Sequence, residues 1–488
     1  MKKLYISVLA LALVTTSSCK KFLEQAPDQR TQINSVDKVA QLLASAYPQA
    51  NYIPFLEASS DNAEDKGPTV GTEPRWNVQP YYWLDNDDDN QDSPTYYWNN
   101  SYEAIAAANQ ALEAIEKAVD KTDYLPYKGE ALLARAYAHF MLVTFYSKAY
   151  NPGGDNSSPG IPYMLKPETV VSGQYTRGTV ASVYEQIQKD IEEGLPLIKN
   201  NAYSVQKYHF NQAAAHAFAA RFFLFKQDFE KVIVHASAIS SANAFATILR
   251  PWNTRYLTYS SGEMRVNFTQ ATEASTLLLI ETASSWARTS GPRYGFGQIA
   301  NNTMFITANV TGARWVHPVY TSGGVPHYSL LKWNEYFVRT SPNATIGFPY
   351  TIVPVLTTDE ALLNRAEAYA QTGQNDLALK DLNTFASTRI NNYNSVTHAV
   401  TLAKIEAFYK LGDNKAGLIR TILDFKKAEF ITEGIRWFDI LRHKLTVKHN
   451  VLAVNGTSTT IELGPDDPRR LFQVPSQVKL SGIEQNPR

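Results

Sequence analysis

An alanine-rich helical segment that recurs along the chain is the feature that most limits its fold. Residues 130–138 and 360–368 are identical at seven of nine positions, and residues 214–225 are a third alanine-rich copy with Arg221 in a similar place. Small side chains on a helix face let two helices approach closely. The recurrence therefore predicts packed helices, with long insertions between them because the copies are unevenly spaced.

A short break and a second helical segment follow the two later copies. The breaks lie at 227–228 and 372–374, where Gly373 stands at a position typical of a helix end. Such helix–turn–helix units are typical of tetratricopeptide repeats. We therefore predict a mostly α fold, with a tetratricopeptide-like helical scaffold, a large loop-rich irregular region and few short strands. The scaffold is expected mainly over residues 30–50, 96–150, 179–240 and 358–445.

Three insertions separate the helical segments, and they differ from them in composition. They are rich in Gly, Pro, Ser, Asp and aromatic residues. Loops of this length in a compact protein usually carry function. The loop-rich, ligand-binding parts are therefore predicted mainly over residues 51–95, 151–178 and 250–354.

The N-terminus has the pattern of an export signal. Lys2 and Lys3 precede an apolar run over residues 4–14, which is too short to span a bilayer. Small polar residues then lead to Cys19, the only cysteine, which also excludes an intrachain disulfide. We predict a lipoprotein signal peptide over residues 1–18, lipidation at Cys19, and attachment of the mature chain to a membrane through that lipid. The alternative is a plain secretory signal with an unrelated cysteine.

An ordered set of segments carries a resemblance to a known family. The most specific is residues 429–442, with the pattern Glu-x-x-x-Glu-Gly-x-Arg-Trp-x-Asp-x-x-Arg. The other segments are residues 19–24, 131–146, 213–236, 361–382, 472–475 and 485–487. With them, the sequence resembles the SusD/RagB-like family of outer-membrane lipoproteins from Bacteroidetes-type bacteria. The resemblance covers nearly all of residues 19–488, which we expect to form a single SusD-like domain.

The resemblance implies a location and a function. Members of the family sit on the outer membrane, face the extracellular side, and capture a nutrient. They deliver it to a partner β-barrel, a SusC-like TonB-dependent transporter. Many bind oligosaccharides and some bind peptides. The resemblance thus implies an oligosaccharide-binding lipoprotein without catalysis; a peptide binder, a surface glycosidase and a tetratricopeptide interaction scaffold remain alternatives.

The charge balance and the absence of three catalytic motifs exclude some classes of function. The chain has 46 basic and 46 acidic residues, so it lacks the basic excess that nucleic-acid binding requires. The metalloprotease motif H-E-x-x-H, the Walker A motif and the G-x-S-x-G motif are absent from the sequence. These observations favour a binding protein over an enzyme.

Aromatic side chains in the insertions are the candidate ligand contacts. The C–H faces of a sugar stack on aromatic rings, while its hydroxyl groups need polar partners at the ring edge. Loop tryptophans surrounded by Asn, Asp, Gln and Arg have that chemistry. The predicted ligand-binding residues are Trp76, Tyr81, Trp83, Trp286, Arg293, Trp315 and Tyr320.

An acidic loop and the segment at residues 429–442 carry two further patterns. Asp85, Asp87 and Asp89 have the spacing of the first calcium ligands of an EF-hand, but glycine and glutamate are missing at the later positions. We therefore expect no cofactor, and structural calcium at this loop remains an alternative. In residues 429–442, helical spacing makes Glu433 and Trp437 neighbours on one helix, and we expect a structural cluster with Trp437 in the core and an arginine paired with Asp439.

Overall fold

The computed structural model describes residues 33–170, 173–240, 244–288, 291–321 and 327–488. The predicted signal peptide, residues 1–18, and the predicted lipidation site, Cys19, lie outside the described residues. About 48% of the described residues are helical and 11% are in strands, which confirms the predicted mostly helical fold with few short strands. Within the described ranges, no helix combines the length and the apolar composition needed to cross a membrane.

The helices are numbered in chain order. They are α1 Val36–Leu43, α2 Ile53–Ser59, α3 Arg75–Tyr81, α4 Pro94–Lys117, α5 Leu125–Tyr146, α6 Val180–Gly194, α7 Gln212–Lys226, α8 Phe229–Ile239, α9 Phe245–Ile248, α10 Ser261–Phe268, α11 Gln298–Asn301, α12 Thr358–Gln371, α13 Asn375–Ser387, α14 Leu402–Tyr409, α15 Asn414–Glu429 and α16 Ile435–Arg442.

The strands are short and mostly paired locally. They are β1 Glu64–Asp65, β2 Thr276–Ala283, β3 Tyr294–Gly295, β4 Tyr320–Thr321, β5 Tyr328–Ser329, β6 Glu335–Arg339, β7 Gly347–Thr357, β8 Val447–Leu452 and β9 Ser458–Leu463. An antiparallel sheet has the order β2-β7-β6, and three two-stranded sheets pair β1 with β3, β4 with β5, and β8 with β9.

Helices that are consecutive in the chain pack against each other in the scaffold. The pairs α4–α5, α5–α6, α7–α8 and α12–α13 are in contact, and the three alanine-rich copies fall on α5, α7 and α12. Both predicted breaks are present, because Gln227 ends α7 at a φ of 58° and Gly373 follows α12 at a φ of 77°. The predicted helix–turn–helix units are therefore confirmed.

The repeated arginine of the copies has a specific structural role. In α5, Arg135 makes a two-point ion pair with Asp190 of α6, at 2.7 and 2.8 Å. In α12, Arg365 makes the same pair with Asp381 of α13, at 2.8 Å for both bonds. All four side chains are buried. Arg221 of the third copy instead pairs with a glutamate of α12. The copies thus share a buried charged link to a neighbouring helix.

The predicted loop-rich parts contain more regular structure than the sequence suggested. Helices α2 and α3 lie within residues 51–95, and α10 and α11 lie within residues 250–354. Ile53, Phe55 and Leu56 of α2 are fully buried, so packing against the core holds this short helix. The longest strands, β2 and β7, also lie within residues 250–357.

Helix α16 begins later than the spacing predicted. Gly434 has a φ of 76° and ends the preceding turn, so Glu433 lies outside the helix that carries Trp437. The expectation that these two side chains are neighbours on one helix was wrong. Glu433 instead accepts a hydrogen bond from buried Lys332 at 2.6 Å. A Cβ atom at position 434 would stand 3.2 Å from the backbone of α2, so glycine also permits this close approach.

The rest of the expected structural cluster is confirmed. Trp437 is buried in the main hydrophobic core. Asp439 accepts a hydrogen bond from Arg442 at 2.6 Å, and Arg442 also makes two bonds to Glu367 of α12. Lys426 lies 3.0 Å from Glu367 as well. This buried network joins α12, α15 and α16, so the most specific sequence motif serves the scaffold.

Candidate ligand-binding surfaces

The insertions bring five of the predicted ligand contacts into one region, which we call the loop face. It consists of α3, the turn that follows it, and the segment around β3. Its predicted residues are Trp76, Tyr81, Trp83, Trp286 and Arg293. These residues are far apart in the chain, and the pairing of β1 with β3 holds their segments together.

Tyr81 and Trp83 belong to a continuous column of stacked rings. Tyr294 stacks on Tyr81 with ring centroids 4.1 Å apart, Tyr81 stacks on His449 at 4.2 Å, and His449 stacks on Trp83 at 4.6 Å. Both faces of Tyr81 are therefore covered by other rings. Because burial is nearly complete for these side chains, the geometry gives Tyr81 and Trp83 a packing role and leaves no open ring face on Tyr81.

Hydrogen bonds fix the column to the backbone. The Tyr81 hydroxyl donates to the carbonyl of Asn450 at 2.5 Å, and Nε1 of Trp83 donates to the carbonyl of Ser59 at 3.0 Å. The two ring nitrogens of His449 each lie 2.8 Å from a carbonyl oxygen, of Tyr81 and of Ser60. Burial lowers the pKa of His449. The column therefore ties strand β8 to the turn after α2.

Trp76 is the predicted tryptophan of the loop face that keeps accessible ring surface. It is half-buried and meets Trp286 edge to face, with centroids 6.4 Å apart. Trp286 is itself buried, and its Nε1 donates to the carbonyl of Thr432 at 3.1 Å. Trp286 therefore packs against Trp76 on its buried side. Tyr82, also half-buried, lies beside the column and within 3.3 Å of the Tyr294 hydroxyl.

Arg293 supplies a fixed charge to the loop face. It makes two bonds to Asp65, at 2.6 and 2.7 Å, and one to Glu73 at 2.9 Å. Hydrogen bonding to Asp65 raises the pKa of Arg293 further above its usual value. The side chain of Glu73 is about half exposed, so it presents a carboxylate beside this network. The polar groups that a sugar needs at a ring edge are thus present in the same region as Trp76.

The other two predicted residues lie elsewhere. Tyr320 is half-buried in β4, opposite Ser329 of β5. Trp315 packs edge to face on Phe425 and Phe385, with centroids 4.7 and 6.1 Å apart. The structure therefore does not gather all seven predicted residues into one site.

Trp315 forms part of the wall of a separate depression, which we call the Trp315 groove. Its volume is about 590 Å³, and it lies between the segment after α11 and helices α14 and α15. Phe408 and Tyr409 stand at the end of α14 and contribute further aromatic surface. Both were missed in the sequence because the predicted ligand contacts were sought in the loop-rich insertions, whereas α14 lies in the predicted scaffold. An adjacent aromatic pair at the end of an amphipathic segment was the available signal.

Two of the three acidic residues of the candidate calcium loop pair with different arginines. Asp85 pairs with Arg488 at 2.6 Å, Asp87 pairs with Arg75 at 3.1 Å, and Asp89 is exposed. Among the described residues, no three acidic, histidine or cysteine side chains form a group that could hold a metal ion. A calcium ion at this loop remains a prediction from the sequence.

Two family models match the chain. A model described as "Starch-binding associating with outer membrane" (SusD-like) matches residues 21–224, and a model of the SusD family matches residues 333–473. Together they cover well over half of the chain. A search of curated proteins finds no match.

Solved structures show the same architecture. A SusD superfamily protein from Bacteroides thetaiotaomicron is 17% identical with a TM-score of 0.61, over 93% of this chain and 100% of that one. A SusD-like carbohydrate binding protein from Bacteroides vulgatus is 15% identical with a TM-score of 0.65, over 92% and 97%. A laminarin binding SusD-like protein is 15% identical with a TM-score of 0.57, over 92% and 99%. At these identities the likeness shows the fold and not the ligand.

Proposed function

The chain belongs to the SusD/RagB-like family, and we propose that it is a surface lipoprotein that captures an oligosaccharide and delivers it to a SusC-like TonB-dependent transporter. Proteins of this family bind carbohydrate at the cell surface and are associated with the outer membrane. They are typically binding proteins. In this role the protein binds and releases the glycan without cleaving it, and the lipid on Cys19 holds it at the extracellular side of the membrane.

The observation that carries the glycan proposal is the position of Trp76. Its ring is half-buried, is supported edge to face by Trp286, and lies in the same region as the charged network of Arg293, Asp65 and Glu73. An aromatic surface removes the C–H face of a sugar from water, and nearby polar groups bind its hydroxyls. We therefore place the glycan on the loop face, against Trp76.

Affinity electrophoresis tests this proposal. Residues 20–488 are run in native gels that contain single polysaccharides, with laminarin included because a structural neighbour is named for it. We expect one glycan to retard the protein, and Trp76→Ala to abolish most of that retardation. Phe348→Ala is the control, because it removes an exposed aromatic ring of β7 that lies outside the loop face.

Two outcomes would contradict the proposal. If no soluble glycan retards the protein, a peptide ligand or a scaffold role is favoured. Equal losses in Trp76→Ala and Phe348→Ala would show that the loop face is not the site. If the protein instead degrades a polysaccharide on incubation, and a change of one carboxylate abolishes this activity, the protein is a glycosidase.

Delivery to a transporter is tested in cells. The full chain is expressed together with a SusC-like β-barrel protein, and the chain is purified from the outer membrane. We expect the barrel to copurify with the chain, and Cys19→Ala to release the chain from the membrane fraction. A chain that stays in the membrane fraction after Cys19→Ala would overturn lipid attachment at this residue.

A further inference from the structure

The floor of the Trp315 groove is a compact cluster of charged side chains. Arg436 makes two bonds to Asp61, at 2.8 and 2.9 Å, and Lys427 binds the same carboxylate at 2.9 Å. Burial opposes ionisation of Asp61, but the two cations outweigh it and hold its pKa well below the usual range. Two basic side chains thus share one ionised carboxylate, and burial lowers the pKa of Lys427.

Arg436 keeps an unused donor in this cluster. Its side chain is 8% exposed, and among the residues that the structure describes its Nη1 has no hydrogen-bond partner. An unpaired buried donor is costly, so a ligand acceptor at this position would be favoured. The other charged side chains of the groove, Arg420 and Asp424, pair with each other at 3.2 Å. The groove as a whole thus has one more cation than anion.

The walls of the groove offer ring surface and an amide. Phe408 is 49% exposed, and the Tyr409 hydroxyl donates to Asp424 at 2.9 Å. Asn309 lies on the opposite segment, and its Nδ2 also has no partner within the described part of the chain. Aromatic walls, amide donors and a guanidinium at the base are the groups that bind a sugar ring bearing a carboxylate.

We propose that the Trp315 groove is a second ligand site, which binds a uronic acid residue of an acidic glycan. The carboxylate accepts from Arg436 and lies near Lys427, while the sugar ring packs on Phe408 and Tyr409. The volume of about 590 Å³ falls within the range of about 300–1,000 Å³ typical of small-molecule sites. This site shares no residue with the loop face and does not depend on glycan binding there.

The surroundings of the groove allow more than one sugar. A second depression of about 410 Å³ adjoins it and shares Arg420, Asp424 and Arg436 with it. Arg436 therefore lies between the two depressions. A linear acidic glycan can place consecutive sugars in them, with one carboxylate at Arg436.

Calorimetric titration tests the proposal with defined probes. Residues 20–488 are titrated with trigalacturonate, with a glucuronate trimer, and with the methyl ester of trigalacturonate, which has the same rings without the charge. We expect at least one acid to bind about tenfold more tightly than the ester. Phe408→Ala and Lys427→Met are each expected to weaken the binding of that acid about tenfold.

Matched variants separate this site from the loop face and from loss of folding. Lys117→Met removes an exposed cation of α4 and is expected to leave binding unchanged. Trp76→Ala is also expected to leave acid binding unchanged, so the two sites can succeed or fail independently. Arg436→Lys keeps the charge but loses the planar fork, so we expect weaker acid binding; because it also loses the two-point pair with Asp61, its unfolding temperature is measured in parallel.

Three results would overturn the proposal. They are equal binding of acid and ester, no binding of either acid, and loss of acid binding in Trp76→Ala while Phe408→Ala binds normally. Binding of a short peptide through its terminal carboxylate at the affinity of the sugar acid, with loss in Phe408→Ala, would assign the groove to peptides and would also overturn it.

Discussion

The loop face and the Trp315 groove both contain tryptophan, but their aromatic rings differ in exposure. In the loop face, the column of Tyr294, Tyr81, His449 and Trp83 covers ring against ring. In the groove, Phe408 leaves half of its surface open above a charged floor. The difference shows that aromatic content alone does not locate a binding surface. Among the described residues, the two open rings, Trp76 and Phe408, each meet one other ring, and only edge to face.

One turn connects the two regions. Residues 60–62 follow α2, which ends at Ser59, and the carbonyls of Ser59 and Ser60 accept hydrogen bonds from Trp83 and His449 of the column. The next residue, Asp61, is the carboxylate at the floor of the groove. A change that displaces this turn should therefore alter both regions, whereas a change at an open ring should alter only one.

The largest effect is expected for Tyr81→Ala. The side chain is fully buried between two rings, so its removal leaves a cavity and should lower the free energy of unfolding by about 3–5 kcal/mol. Urea denaturation followed by tryptophan fluorescence measures it. Tyr81→Phe is the control and should cost about 0.5–1.5 kcal/mol, because it loses only the hydrogen bond to Asn450. A loss below 1 kcal/mol in Tyr81→Ala would mean that the column is not a packing element.

The next largest effect is the pH dependence of stability that arises from Glu57, which is hydrogen-bonded to the turn after α2. Burial raises the pKa of Glu57 from 4.5 to about 7, and its carboxylate accepts hydrogen bonds from Asn62 and from the Gly434 amide. Because the folded pKa lies above the unfolded value, this residue favours folding fully below pH 4.5, and its contribution is lost as the pH rises from 4.5 to about 7.

Glu57→Gln removes that dependence while keeping a hydrogen-bonding amide. The stability of the variant relative to the natural chain should therefore rise across this window, by up to about 3 kcal/mol. Urea denaturation of both proteins between pH 4.5 and pH 8 measures the difference. Two parallel pH profiles would show that Glu57 does not titrate in this range.

A smaller effect is expected for binding at the loop face. Trp76→Ala should weaken the glycan identified by electrophoresis about tenfold, or about 1.4 kcal/mol, because an aromatic contact surface is lost. Calorimetric titration with that glycan gives the number. Unchanged affinity would show that the glycan does not bind at Trp76. The rings of the loop face would then all have a packing role, like those of the column.

The smallest effect should separate the two regions most clearly. Phe408→Ala removes a half-exposed ring and should change the free energy of unfolding by no more than about 0.5 kcal/mol. The same denaturation experiment measures it beside Tyr81→Ala. A loss comparable to that of Tyr81→Ala would show that the groove is packing surface, and the contrast between the regions would disappear.

Much of the scaffold could be predicted from the sequence because helix signals are local. The alanine-rich copies gave the packed helices, and Gly373 gave the end of α12, since both depend on neighbouring residues. The repeated arginine marked a recurring buried position, although its acidic partners, Asp190 and Asp381, could not be identified from spacing. The boundary at Gly434 was misjudged because helical spacing was continued through a glycine with positive φ.

The sequence by itself determined that this chain forms a helical scaffold with aromatic insertions and belongs to one family, because periodicity, turn residues and ordered motifs are written along the chain. Only the tertiary structure decided which rings are open. His449 reaches Tyr81 across 368 residues, and Arg436 reaches Asp61 across 375. Burial is the sum of contacts from segments that are distant in sequence, so a tryptophan in a loop looks the same in the sequence whether another ring covers it or not.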